Sequence, residues 1–353
     1  SLLSTDWYIS QMKRKAYGSE PVPFSLKKRH YLQGTRDLVP IVQRISDDKH
    51  VSAPKLMNFI ASNEKQTTIN PASGNTMHFM PTKFLKLNVD SARVVNNGTV
   101  PKAYADRIES PIKWKLGQRY LTKNKLMILD LIAHFNWERP VYFATSIASE
   151  YFLGLKNYLR DEGFAYRLIP YKKKPYDGQT GHVDTDILYK RLMEQFVWGN
   201  INGEKAHIDY QNRRTMRIMN IRGKFARLAG KLVQEGQFDK AIKVLDKIME
   251  LMPRHKVPFD HSVVQILRNY YDAGATEKAN KLAKETVEVF SNRLDYYLSL
   301  RSSISSSLGY EKSMAFRIIR QCASMAQQNQ QQDLYNSFNE LVKQYYPMLS
   351  RDG

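Results

Sequence analysis

Residues 225–253, FARLAGKLVQEGQFDKAIKVLDKIMELMP, limit what this chain can fold into more than any other stretch. Two segments of helical apolar periodicity flank one glycine, Gly236. Each segment carries a small residue where two helices would have to approach closely, Ala229 on the first and Ala241 on the second. Pro253 has no amide with which to continue a helix and marks the end of the second segment. The pattern predicts an antiparallel helix pair. It recurs more weakly in DAGATEKANKLAKETVEVF, where Gly274 takes the turn position 38 residues after Gly236 and Ala279 takes the small contact position. One helix pair cannot bury its apolar stripe alone. A repeated pair therefore predicts a stacked array, which is a binding scaffold and carries no catalytic signature.

The pattern stays helical from about residue 206 onward. A basic helix precedes the two pairs, and further helices are expected over 314–326 and 333–346, with the polar tract QQNQQQ as the loop between them. Upstream, residues 1–23 predict the end of a strand and then a helix capped at Ser4 or Thr5 and stopped by Gly18 and two prolines. Residues 20–110 mix short apolar runs with Pro, Asn and Ser clusters, and KFLKLNVD is the best strand among them. LMILDLIAHFN predicts a buried helix ended by Pro140, VYFATS a strand, residues 150–161 a helix, and FAYRLIP a second strand. Helix then strand, twice in succession, predicts an α/β layer with parallel strands, three-layer-like and possible in incomplete form. YKKKPYDGQTGHVD reads as an exposed loop, after which Asp184 or Thr185 caps a helix running to Trp198. The polar, glycine-bearing segment GNINGEKAHIDYQN has the composition of a boundary. The expected organisation is an α/β domain over 1–205 followed by an all-α helical repeat domain over 206–353.

A chain of 353 residues can give each domain its own core without disulfides or a structural metal. No apolar run approaches the roughly 18 residues that span a bilayer, and the mean hydropathy is −0.52. The chain opens Ser1-Leu2-Leu3 without a methionine, so an upstream segment is expected. The single Cys322 sits in IIRQCASMA, where a helix would bury it as a small apolar residue and leave an inert thiol.

The formal charge of +20 is spread along the chain, with +11 on residues 1–210 and +9 on the rest. Its densest run is Arg213, Arg214, Arg217, Arg222, Lys224, Arg227 and Lys231, with no acid between Asp209 and Glu235. On one long helix, positions 213, 217, 224, 227 and 231 would share a broad face. Such a face is either simply solvated or suited to anionic lipid headgroups or a polyanionic glycan. No nucleic-acid motif accompanies it, and nucleic acid is not expected as a partner.

The histidines form no HExxH and no pair at a metal spacing, and neither a dinucleotide nor a nucleoside triphosphate cradle is present, so neither metal nor cofactor is expected. No nucleophile motif is present either. Asp6 beside Trp7, Asp37 in GTRD, and Asp184 with Asp186 could line a crevice, although caps and turns account for aspartates in such settings. Most of the 21 Tyr, 15 Phe and 4 Trp are expected in the core or between helices, and any that are exposed are suited to stacking on sugar rings.

The phrase at 225–253 is similar to a tetratricopeptide-type repeat. Together with LLSTDWYISQMKRKAYGSEPVP, QGTRDLVPI, NKLMILDLIAHFNWERPVYFA, SEYFLGL, GFAYRLIP and DGQTGHVDTDILY, it makes the chain resemble the carboxy-terminal extramembrane region of a Bacteroidetes family of large multi-pass membrane proteins of unknown function. That family in turn resembles glycosyltransferases of the GT-C type, including the protein O-mannosyltransferases that carry tetratricopeptide-like repeats. The resemblance implies a periplasmic location and tethering by upstream transmembrane helices. It also implies a catalytic loop between those helices, so this region alone would be inert as a transferase. The expected role is to recruit or orient an acceptor protein or glycan beside its own membrane domain, through the basic run and the inward side chains of the repeats. The alternative is an assembly module that packs on the membrane domain or on a second copy without touching substrate. Asp90-Ser91-Ala92 also resembles the O-glycosylation acceptor signal of that phylum.

Overall fold

The computed structural model describes residues 2–70, 74, 76–218 and 220–350. They divide into two compact units, Ser1–His182 and Val183–Gly353. The first is a mixed unit of short helices and small sheets, and the second is all-helical.

Helices of the first unit are α1 (Asp6–Met12), α2 (Lys28–Tyr31), α3 (Ala53–Ala61), α4 (Ser91–Asn96) and α5 (Lys123–His134). Its strands are β1 (Leu38–Pro40), β2 (Val51–Ser52), β3 (Thr68–Ile69), β4 (Met77–His78), β5 (Phe84–Leu87), β6 (Ile112–Lys115), β7 (Tyr120–Thr122), β8 (Tyr142–Ala144), β9 (Leu159–Asp161), β10 (Ala165–Leu168) and β11 (His182–Val183). They form two two-stranded sheets, β1-β7 and β3-β4, a three-stranded sheet β2-β5-β6, and a four-stranded sheet β11-β9-β10-β8.

The strands over 142–168 are antiparallel, against the parallel layer expected: β10 pairs with β8 through Tyr166↔Phe143 and with β9 through Arg167↔Arg160. The cause lies in residues 150–161, which are not a helix. They make 3-10 turns at Ser149–Phe152 and Lys156–Tyr158, separated by Leu153 and Gly154, both in the left-handed region at φ 49° and 85°. A Cβ on Gly154 would lie 2.1 Å from the Lys115 carbonyl oxygen, so only glycine allows the chain this close to β6. Without a crossover helix the chain has no means of returning parallel. Phe152, Leu155, Tyr158 and Leu159 are buried nonetheless, which is why their spacing resembled a helix face. At the amino terminus the expected strand end is instead a 3-10 turn, Leu2–Ser4, and Thr5 is the residue that enters α1.

Helix α5 is the centre of the first unit, as the LMILDLIAHFN pattern predicted. Nine of its residues are buried, and α3 packs against it through the apolar face of Leu56, Met57 and Ile60. One buried position is charged. Asp130 is fully buried and accepts from Ser25 Oγ (2.6 Å) and the Leu26 amide (3.0 Å), which fastens the segment after α1 to α5. His134, one turn on, places Nδ1 3.0 Å from the same carboxylate.

The second unit contains α6 (Thr185–Tyr189) continuing into a π-helical turn at Lys190–Gln195, then α7 (Tyr210–Ile218), α8 (Ile221–Gln234), α9 (Phe238–Leu251), α10 (Val263–Asp272), α11 (Thr276–Ser299), α12 (Ser302–Ser305), α13 (Gly309–Gln328) and α14 (Gln332–Ser350). Helix α6 packs on α8, so this unit begins at Val183, ahead of the polar segment around residue 205. The signature residues lie where the pattern put them. Ala229, Ala241 and Ala279 are fully buried, and Pro253 follows the end of α9.

The turn glycines close α8 and α10 in the same way. Gly236 has φ 72°, its amide donates to Val233, and the Gln237 amide donates to Leu232. Gly274 has φ 77°, with the Gly274 amide on Tyr271 and the Ala275 amide on Tyr270. This double bond around a left-handed residue is the Schellman cap. A third copy, unmarked by glycine, ends α13: Gln330 stands at φ 59°, its amide donates to Gln327, and the Gln331 amide donates to Ala326. The array thus has a third pair, α13 and α14. Cys322 lies fully buried within α13, where burial pushes its thiol up to about 12.

Two expectations follow. A left-handed non-glycine residue costs about 1 kcal/mol, so Gln330→Gly should raise the unfolding free energy in urea by about that much, seen as a higher midpoint at unchanged m-value, whereas Gly274→Ala should lower it by a similar amount. The hydrogen bond to Asp130 raises the His134 pKa above 6.5 against the opposing effect of burial. Protonated His134 therefore stabilises the fold fully below about pH 6.5, and that contribution is lost as pH rises through the raised value. Urea unfolding at pH 6 and pH 8 should show this loss in the parent chain and not in His134→Gln.

Candidate binding crevice

Strand β7 runs directly into α5 at Thr122, and the first turn of the helix reads Lys123-Asn124-Lys125. Two cations at the positive end of a helix are locally unfavourable, and all three residues are buried. Each lysine is held by acids from elsewhere in the fold. Lys123 Nζ lies 2.6 Å from Asp37 Oδ1 and 3.3 Å from Asp6 Oδ1. Lys125 Nζ lies 3.2 Å from Glu150 Oε1 and 5.3 Å from the ring centroid of Tyr151. Between them Asn124 accepts from Thr122 Oγ1 (2.5 Å) and donates to the Tyr151 hydroxyl (3.3 Å).

The carboxylates are oriented by backbone. Asp6 Oδ2 accepts the Gln33 amide at 3.0 Å, and Asp37 Oδ2 accepts the Gly34 amide at 2.7 Å. Burial alone would push the Asp37 carboxyl up. Hydrogen bonds from Lys123 and Gly34, with the Lys123 charge, outweigh that and hold it below the usual carboxylate range. Asp37 therefore serves as an ionised acceptor.

The group lines an open crevice of about 960 Å³, walled by the start of α1, the 33–37 loop, the end of β7, the start of α5 and the 3-10 turn at Ser149–Phe152. Two large aromatic side chains on its walls stay exposed, Trp7 at 61% and Tyr120 at 49%. A flat apolar face beside fixed acceptors and an ammonium donor suits a ring with an apolar face and hydroxyl groups on its edge, the chemistry of a sugar. Asp6 and Asp37 were among the carboxylates the sequence offered as able to line a crevice, and Lys123 joins them. Lys125, Glu150, Tyr120 and Tyr151 were not found. The available signal was the pair of lysines opening a helix that is otherwise apolar.

The basic run is arranged differently from the single face expected. Asn220, at φ 51°, separates α7 from α8. Arg213 and Arg217 belong to α7, and Arg222, Lys224, Arg227 and Lys231 to α8. Arg222, Lys224 and Arg227 are buried and Lys231 is half-buried, 3.4 Å from Glu235. Arg222 donates to the carbonyls of Met252 (2.8 Å), Val257 (2.5 Å) and Pro258 (3.0 Å), which joins α8 to the loop after α9. Burial pulls its pKa down to about 10, against the Asp260 charge. Asp184 caps α6 by accepting the Ile187 amide, and Asp186 is exposed in that helix's first turn. Asp90 likewise caps α4 through the Arg93 amide.

The fold and crevice define a class: a mixed small-sheet unit with an aromatic, charge-paired crevice, followed by stacked helix pairs. The family model of TMEM260-associated domain 2 matches residues 1–187, and the chain belongs to that family. The match contains every residue of the crevice. No curated protein and no solved structure matches the chain. The family's description sets it in a membrane-protein context, while no helix among the described residues is long and apolar enough to cross a membrane.

Removing the cation leaves Asp6 and Asp37 facing each other. Lys123→Met should cost about 2 kcal/mol of stability, the worth of hydrogen bonds between charged groups, measured by chemical unfolding. Lys15→Met, which removes an exposed pair with Glu20, should cost under about 1 kcal/mol.

Proposed function

We propose that this chain is the periplasmic portion of a membrane-embedded, GT-C-like glycosyltransferase from a Bacteroidetes family, and that it recruits or orients an acceptor protein or glycan for the membrane part without catalysing transfer itself. The observation that carries this reading is the crevice in the family-matched unit, where Trp7 and Tyr120 stand exposed beside Lys123 and its two carboxylates. Such a site recognises a polyhydroxylated ring and offers no activated nucleophile. Helix pairs of tetratricopeptide type, each closed by a Schellman cap, supply the scaffold on which a protein acceptor would be held.

Screening the purified chain against immobilised oligosaccharides tests this. Binding is expected, with Trp7→Ala weakening it about tenfold, the order of one lost aromatic stack. Absence of binding to any saccharide, or binding indifferent to Trp7→Ala and Tyr120→Ala together, would overturn the crevice as the recruiting site.

A further inference from the structure

One end of the helical unit gathers side chains that a water-exposed surface does not ordinarily group. The end of α11, all of α12, the start of α13 and the end of α14 meet there. Tyr345 on α14 donates its hydroxyl to Asp295 Oδ1 on α11 (2.7 Å). The rings of Phe316 on α13 and Tyr346 on α14 stand 6.4 Å apart, and Lys312 on α13 donates to Ser305 Oγ on α12 (3.1 Å). Around these joints Tyr296, Ile304, Tyr310, Tyr346 and Met348 are exposed at 61%, 50%, 70%, 64% and 44%. Arg301, Arg317, Arg320 and Lys343 are exposed on the same elements.

The balance of charge there is positive. Asp295 holds the Tyr345 hydroxyl, Glu340 is paired with Lys343 at 3.1 Å, and Glu311 is a further exposed acid, near the start of α13. Three exposed arginines stand against them. Tyrosine is amphipathic and prefers the boundary between water and hydrocarbon, and arginine beside it pairs with anionic headgroups. Ile304 and Met348 supply apolar groups able to enter the acyl boundary. A protein partner of similar area would more often meet an apolar centre with a polar rim. Here exposed apolar and basic side chains are carried by the same group of helix ends, and the partner of complementary charge is an anionic bilayer surface.

We infer that this end of the helical unit docks on an anionic membrane surface. The proposal is independent of the crevice, because it uses other residues in the other unit.

Vesicle flotation of the whole chain tests it, comparing phosphatidylcholine with phosphatidylcholine containing about 30 mol% phosphatidylserine. Binding to the anionic vesicles should exceed binding to neutral ones about tenfold and should fall as salt is raised. Two variants separate the contributions, and both alter exposed side chains, so helicity by circular dichroism should match the parent. Tyr296→Ser with Tyr310→Ser and Tyr346→Ser removes the aromatic groups, and Arg301→Glu with Arg317→Glu reverses the charge. Each should lower anionic-vesicle binding about tenfold. No preference for anionic vesicles, or a preference that survives both variants, overturns the proposal. So does concentration-dependent self-association in sedimentation that the tyrosine variant abolishes while vesicle binding stays absent, because the patch would then belong to a second copy of the chain.

Discussion

The first unit depends on partnering the charges that α5 brings into its core. Desolvating an unpaired ammonium or carboxylate costs several kcal/mol, a sizeable part of the stability of a whole domain. Helix α5 carries three such groups, Lys123, Lys125 and Asp130, and apart from His134 beside Asp130 the partners named here lie far away in sequence. Asp6 and Asp37 come to Lys123, Glu150 comes to Lys125, and Ser25 with the Leu26 amide comes to Asp130. Satisfying these groups fixes where α1, the segment after it, the 33–37 loop and the 149–152 turn must lie. Apolar burial supplies the driving force, and the charges select the arrangement.

The same requirement leaves a crevice. Because Lys123 and Lys125 sit at the positive end of their helix, local electrostatics oppose their presence, and the fold compensates by converging three carboxylates on one opening. Trp7 follows Asp6 in sequence and Tyr120 lies at the start of the strand that leads into α5, so the side chains that build the charge pairs bring the aromatics with them. Departures from local preference of this kind are where binding sites are found.

The helical unit was legible because its determinants are local. Small residues at 229, 241 and 279 and glycines at 236 and 274 report on the turn and contact they occupy. The third cap was hidden because Gln330 adopts the left-handed conformation without the residue that signals it. In the first unit, α5, β5, β8 and β10 were readable from apolar runs, but strand direction was not. The close passage of the connection at Gly154 was not readable either, because its lack of a side chain matters only where the Lys115 carbonyl is close in space. The crevice was half readable for the same reason. Asp6 and Asp37 can be suspected from the sequence, whereas their convergence on Lys123, 117 positions beyond Asp6, is a property of the fold. The basic run misled as a surface because helical spacing alone says nothing of the carbonyls that Arg222 satisfies or of the break at Asn220.

The central claim is that a saccharide occupies the crevice at the start of α5. The most direct measurement is a titration of isotope-labelled chain with oligosaccharide, observed by nuclear magnetic resonance at the backbone amides and the four tryptophan indoles. Shifts concentrated at Trp7, the 33–37 loop, Tyr120 and Lys123–Lys125, with the buried indoles of Trp114 and Trp137 unmoved, are the predicted result. Saturable shifts confined to the helical unit, with Trp7 silent, would contradict it.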